Sequence, residues 1–419
     1  MKKELFTILL LLSTYSVALS QGQVYCKRDS ISNEKNSIQT LSLQKIETKF
    51  QEQSSIQSNS SGAIRTIPVV IHIIHQGGIE NISDAQIYTQ LDVLNKDFRR
   101  LNADTSNTNP IFLSVASDVE VEFCLASKDP LGNATNGIDR ILTMNPPSSF
   151  SQFINMFGWD NKKYLNFYIS NSFGSFSSFP WEPDSTDGIF MTHGRFGTIG
   201  TAGTEPSAEF AKFGRTGTHE VGHYLGLHHT FDLTMVGCDT ICASTGDNVC
   251  DTPPCQYRWF VISCMPQSTN SCTESPDLPD QVDNYMDYNI DSCANMFSQG
   301  QKSRIDITLN LYRSTLWSNS NLIEVGCTGF VALSKNKPLT HLKVYPNPIS
   351  QHATLEFDNL TNENFILTLY DAEGRLVKSI LNVNSSKVLI NKADLVSGLY
   401  FFHLSTRGQV RFNGKIIIE

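Results

Sequence analysis

Charge is scarce in this chain. Only 17% of its 419 residues are Asp, Glu, Lys or Arg, and the net charge is −9 with no basic cluster. Nucleic-acid binding therefore has no electrostatic footing. Long apolar runs are missing as well: no stretch approaches the roughly eighteen uninterrupted apolar residues of a membrane span. Ten cysteines are present, yet no two have CxxC spacing, which argues against thiolate zinc sites and for disulfides in an oxidising compartment. Of the whole chain 40% is hydrophobic, enough to bury at least one large core.

The N-terminus reads as export and processing signals. Met1–Ser20 carries Lys2 and Lys3, an apolar run over Leu5–Leu12 and then Ala18-Leu19-Ser20, the pattern of a signal peptide cut after Ser20. Residues 21–63 are rich in Ser, Gln, Asn and Lys and too poor in apolar side chains for a core of their own. Their position suits a pro-segment. Cys26 stands alone there: its thiolate could occupy a metal site and keep the precursor latent, or it is a disulfide partner.

Most of the chemical information lies in His219–His229, HEVGHYLGLHH. On a helix His219 and His223 are one turn apart and project from one face, which suits Zn²⁺, and Glu220 between them suits a general base. Gly226 permits a sharp turn that brings round His229 as third ligand, leaving a fourth position for water. His228 competes for that role, but spacing from Gly226 favours His229 and leaves His228 as a supporting or surface residue. With 10 His and 26 Gly in the chain, chance coincidence of the five fixed positions is on the order of 10⁻⁵. HExxHxxGxxH is the zinc signature of the metzincins. A metzincin also needs a Met-containing turn beneath the metal, and Asp283-Asn284-Tyr285-Met286-Asp287-Tyr288 supplies one. The resemblance implies that the Tyr288 phenol approaches the zinc and donates to a developing oxyanion.

Separated motifs narrow the family. GRTGTHEVGHYLGLHHTF (Gly214–Phe231), DNVCDTPP (Asp247–Pro254), NYMDYNIDSCANMFSQGQ (Asn284–Gln301), IPVVIHIIHQ (Ile67–Gln76) and the segment Ile82–Asp104 resemble the pappalysin family over roughly Ile64 to Cys327. That resemblance implies a calcium site, with Asp247 and Thr252 as side-chain ligands; turn chemistry alone explains the same residues. It also implies disulfides Cys242–Cys272 and Cys264–Cys293; Cys124–Cys327 is a further candidate pair, since one sequence does not fix connectivity. Family members of bacterial type prefer Arg or Lys after the cleaved bond, which requires an acid in the primed-side pocket. Asp291 is placed to face that pocket, or else to cap the turn before Cys293.

Local patterns agree with an α+β catalytic domain built on a twisted mixed sheet plus the active-site helix. Ile67–Ile74 reads as a buried strand, and Tyr164–Ser170 as another. Ser83 and Gln86 suggest a capping box ahead of Ile87, Leu91, Leu94 and Phe98 at helical spacing. Asp187–Thr192 is a candidate edge strand along the cleft, His193 a polar rim residue, and His72 and His75 structural.

After Cys327 the character changes. Residues 328–340 read as a linker, and His341–Glu419 alternates apolar and polar residues in short runs (Ala353–Phe357, Phe365–Tyr370, Leu399–Leu404, Val410–Ile418) between turns, a small all-β sandwich. VYPNP (Val344–Pro348), Asp371–Gly374 and Leu399-Tyr400 resemble the C-terminal sorting domain of the type IX secretion system; a carbohydrate- or protein-binding sandwich is the alternative. Type IX export runs through the periplasm of a Gram-negative bacterium to the surface or medium. The sequence thus predicts a secreted zinc endopeptidase, made as a zymogen and acting on protein substrates. The competing class is a surface adhesin that kept a protease-like domain.

Overall fold

The computed structural model describes residues 45–52, 64–204, 210–231, 238, 242, 246–258, 263–327, 342–357, 359, 364–371, 375–392, 395–406 and 409–419. The signal-peptide region and Cys26 lie outside the described residues. The chain divides into two compact units, Met1–Cys327 and Thr328–Glu419.

In the first unit the strands are β1 (Arg65–His75), β2 (Val121–Leu125), β3 (Ile138–Leu142), β4 (Leu165–Ile169), β5 (Phe176–Ser177) and β6 (Ile189–Met191). The helices are α1 (residues 45–52), α2 (Asp84–Asp97), α3 (Phe150–Phe157), α4 (Arg215–Tyr224), α5 (Gln299–Leu311) and α6 (Asn319–Glu324). β1 is long enough to take β2 and then β3 as successive parallel neighbours, with β4 parallel on its other side. Both faces of β1 are covered. Ile67, Val69, Ile71 and Ile73 join Ile87, Leu91, Leu94 and Phe98 of α2 and Val221, Tyr224 and Leu227 of the α4 region in one core. Ile74, Tyr168, Phe153 and Phe190 form a second. Two-sided burial is why β1 reads as a continuous apolar run.

The edge strand differs from expectation. The strand within Asp187–Thr192 is interior, β6, parallel to β4 and covered on its outer side by β5, which runs antiparallel and forms the sheet edge. β5 has two residues, too few to give an alternating pattern that sequence can reveal. The capping box ahead of α2 is half formed. Ser83 caps the helix by accepting from the Gln86 backbone, but the Gln86 amide donates to the His193 and Phe196 carbonyls instead of returning to the cap. His193 is buried by this contact rather than lying on a polar rim.

Four disulfides form: Cys124–Cys327, Cys264–Cys293, Cys238–Cys272 and Cys242–Cys250. The Cys242–Cys272 pairing is thereby corrected. Cys242 closes a loop with Cys250, eight residues on, where Gly246 turns at φ +60°; Cys272 is left for Cys238. Cys255 is free and buried.

The second unit is a sandwich. β7 (Leu342–Tyr345), β8 (His352–Phe357) and β11 (Lys387–Asn391) make one antiparallel sheet, and β9 (Phe365–Tyr370), β10 (Leu376–Val383), β12 (Gly398–Thr406) and β13 (Gln409–Ile418) the other. Leu355, Ile390, Leu367, Phe402 and Ile416 meet between them. Among the described residues that core is made by residues of the second unit. A chain ended at Cys327 should therefore keep the unfolding temperature of the catalytic unit within about 2 °C, less than the shift 1 kcal/mol produces. Scanning calorimetry of both chains checks this; a clear fall in the catalytic transition would show a shared core.

Candidate metal centre

α4 is built to hold two imidazoles in register. Its N-terminus is held from outside: the Asp291 carboxylate accepts from the backbone N–H of Arg215 (2.9 Å) and of Phe213 (3.2 Å), a charge-assisted interaction that also suits the helix dipole. Its C-terminus closes in a Schellman turn. Gly226 has φ +89°, its N–H donates to the His223 carbonyl and the Leu227 N–H to the Gly222 carbonyl, both at 2.9 Å. A Cβ on Gly226 would also lie 2.4 Å from Thr308 Oγ1 of α5. The turn reverses the chain and delivers His229.

The outcome is a triangle of Nε2 atoms. His219, His223 and His229 approach one another at 3.1 Å along every edge. Tetrahedral zinc with nitrogens at 2.0–2.1 Å needs edges of about 3.3 Å, so the cluster fits with a small relaxation. The tautomers suit a metal too. His219 Nδ1 donates to the Tyr285 carbonyl and His223 Nδ1 to the Leu227 carbonyl, each at 2.7 Å. A carbonyl can only accept, so each Nε2 presents a lone pair. Glu220, on the same helix, is fully buried. Among the described residues this is the one group of three or more His, Cys, Asp or Glu side chains arranged for an ion; His193, His72 and His75 stand apart from it.

The Met-containing turn lies beneath. Met286 is fully buried, and a Cβ on Gly222 would meet its sulfur at 2.4 Å; the glycine beside His223, outside the fixed positions of the motif, is what lets the turn approach. The Met286 carbonyl accepts from Thr230 N–H, next to His229. The Tyr288 ring lies 4.7 Å from the His229 ring and 5.9 Å from the His219 ring, on the ligand cluster.

Asp291 lines a cavity with Thr216, His219, Tyr288 and Asn289. Burial pushes its carboxyl up to about 6. It sits in the pocket beside His219, and what it caps is α4, not the turn before Cys293. Asp287 faces the same cavity, but its carboxylate is engaged by Arg258 and by the Tyr288 N–H. Asp247 and Thr252 come together: Thr252 Oγ1 lies 2.8 and 2.9 Å from the two Asp247 oxygens, and the Val249 N–H donates to one of them. Burial pushes the Asp247 carboxyl up to about 8.

Two participants have partners the motif does not specify. His228 is buried and its Nε2 lies 3.3 Å from Glu47 of α1. Arg304 of α5 donates Nε to the Gly226 carbonyl at 2.6 Å, pinning the turn that carries His229. It lies 78 residues away, and no local spacing announces such a contact.

Against known proteins, residues 148–310 match the peptidase M43 family, described as pregnancy-associated plasma protein-A. Residues 343–419 match a secretion system C-terminal sorting domain. An extracellular metalloprotease of Arthroderma benhamiae is 30% identical over 280 residues, 66% of this chain and 82% of that protein. Among solved structures, Tannerella forsythia mature mirolysin in complex with a cleaved peptide is 35% identical with a TM-score of 0.51, covering 61% of this chain and 99% of the other. A promirolysin mutant from the same organism is 34% identical with a TM-score of 0.57, covering 70% and 95%. With this fold, a turn of methionine under three convergent histidines, and relatives spanning the catalytic unit, the chain belongs to the pappalysin family of metzincin zinc metalloendopeptidases and ends in a type IX secretion sorting domain.

Proposed function

We propose that His219, His223 and His229 hold the zinc and that Glu220 is the general base of peptide-bond hydrolysis. The observation that carries this reading is the Nε2 triangle with 3.1 Å edges, built on the helix that bears Glu220. Bound there, zinc supplies Lewis acidity, bringing the pKa of a water toward about 7 and polarising a carbonyl. The Glu220 carboxylate takes one proton from the attacking water and returns it to the amine as the C–N bond breaks. The Tyr288 phenol donates a hydrogen bond to the oxygen that gains charge. Glu220→Ala should retain one zinc per chain and lose kcat/KM by several orders of magnitude. Metal analysis and peptide cleavage on the same sample check it; undiminished proteolysis would refute the mechanism.

The substrate side follows from the cavity beside His219. Asp291 supports a preference for Arg or Lys after the scissile bond, because a buried carboxylate discriminates strongly for a cationic partner. Asp291→Asn keeps a side chain able to cap α4. It should lower cleavage before Arg and Lys at least tenfold while sparing cleavage before apolar residues. A peptide library that shows no basic preference in the unaltered enzyme would end this reading without touching the first.

Asp247 and Thr252 are proposed as ligands of a calcium ion. A carboxylate so deeply buried, facing one hydroxyl and one N–H, gains most from a hard cation. The sign of its pH dependence follows. In calcium-free buffer the folded chain holds a proton on Asp247 up to about pH 8, while the unfolded chain releases it near the ordinary carboxylate value. Between those limits the folded state binds more protons, so stability falls as pH rises, by up to about 1.4 kcal/mol per pH unit. Calcium should remove that slope, and so should Asp247→Asn. Thermal melts from pH 4.5 to 8 with and without calcium measure it; a slope unchanged by either would disprove the site.

Residues 1–20 are proposed as the signal peptide and 21–63 as the pro-segment, with the Cys26 thiolate as a zinc-directed group in the precursor. The sorting domain marks the chain for secretion or the cell surface. Support for a pro-segment comes from the larger share of this chain matched by promirolysin, 70% against 61% for the mature form.

A further inference from the structure

Most of the polar leader has no core-forming pattern, yet α1 is seated firmly. The two carboxylate oxygens of Glu47 meet Nη1 and Nη2 of Arg304 at 2.7 and 2.5 Å, the fork geometry that guanidinium and carboxylate share. One of those oxygens also lies 3.3 Å from His228 Nε2. Three residues on, Phe50 is 3% exposed. Its ring sits edge-on to Trp181 at 6.0 Å and stacked with Tyr312 at 6.3 Å, and the Arg304 guanidinium lies 4.2 Å from its centroid. One arginine is thus gripped by the helix in its plane and over its face.

This seat touches the metal centre by two routes. Arg304 holds the Gly226 carbonyl, on the turn between His223 and His229. Phe179 stacks on Trp181 at 4.8 Å, and its ring lies 5.5 Å from His223 and 5.0 Å from His228. Burial opposes ionisation of Glu47, but the Arg304 and His228 contacts overcome it and hold the carboxyl at about 2. The contact is therefore ionic at any ordinary pH.

We propose that α1 is the docking element that keeps the N-terminal segment on the catalytic domain in the precursor, with Glu47 and Phe50 seated on Arg304, His228, Trp181 and Tyr312. This rests on the reading of residues 21–63 as a pro-segment. The docking acts through the tether. The described stretch, residues 45–52, is shorter than an isolated helix needs to hold in water, and covalent linkage gives it an effective concentration in the millimolar range. A cut between residue 52 and β1 turns the seat into a weak intermolecular complex, so the segment leaves. On this reading Cys26, twenty-one positions before Glu47 along the chain, is brought to the metal by the anchor; the anchor comes first and the thiol second.

The test uses the full-length precursor. Glu47→Ala and Phe50→Ala should each raise its peptidase activity before maturation at least tenfold and speed its maturation. The mature enzymes, which lack both positions, should have equal kcat/KM. Cys26→Ser should raise precursor activity without loosening α1. Looseness is read separately by limited trypsin digestion at Lys45 and Lys49 in a Glu220→Ala background: Glu47→Ala should expose those sites at least tenfold faster, and Cys26→Ser should not. If the mature chains prove inactive, the protease mechanism fails while the trypsin readout still decides the docking. Precursors of Glu47→Ala and Phe50→Ala with unchanged latency, or with unchanged trypsin sensitivity, would overturn it.

Discussion

Three imidazole nitrogens that must converge within about the diameter of one ion set the terms for everything else in the catalytic unit. Helical pitch aligns two of them at no extra cost. The third has to come from a reversed chain, and reversal within three residues demands a left-handed backbone position, a satisfied helix end and no side chain in the way. Gly226 meets all three conditions at once. The carbonyls of Tyr285 and Leu227 then fix which nitrogen of His219 and His223 faces the centre of the triangle. The Met-containing turn is thus more than a floor: it supplies the acceptor that orients His219, and its sulfur fills the space that Gly222 leaves open.

Around this centre the fold buries an unusual number of charges in a chain with little charge to spend. Arg215 reaches Asp97, Asp104 and the Asp291 carbonyl, while Arg313 forks onto Asp187. Burial pushes the Asp97 carboxyl up even with Arg215 beside it. Such pairs roughly break even against their desolvation and contribute little net stability. What they contribute is position, since each guanidinium accepts partners in one plane only. Arg215 opens α4 and Arg304 holds its exit, so both ends of the helix that carries His219, Glu220 and His223 are set by ionic contacts from distant parts of the chain.

How much of this could be read from the sequence follows from the range of each interaction. The three convergent histidines, the Glu beside them and the Gly that turns the chain are local and carry fixed spacing, so the motif displays them. β1 and α2 were visible because their burial imposes a period. The edge strand was misplaced because a two-residue strand has no period at all. Cys242 was paired wrongly because disulfide choice depends on how an irregular loop folds, and composition says nothing of that. The capping box at Ser83 failed by half for a related reason: Gln86 has the right spacing for its cap but found carbonyls of residues 193 and 196 first. Glu47 and Arg304 are 257 residues apart, beyond any pattern.

Asp291 shows how one residue can serve the frame and the site together. Its carboxylate ends α4 and so helps hold His219, and the same group faces the cavity beside that histidine. The two roles pull on one charge. Backbone N–H groups at the helix start lower its pKa, and burial raises it, leaving it near 6. A cation entering the cavity would tip the balance toward the ionised form and strengthen the cap in the same step. On the proposed reading of Asp291, substrate binding and helix rigidity are linked through a single carboxylate. A polar but neutral side chain there would keep the cap and lose the link, so the frame and the proposed specificity of this centre can be separated by one atom.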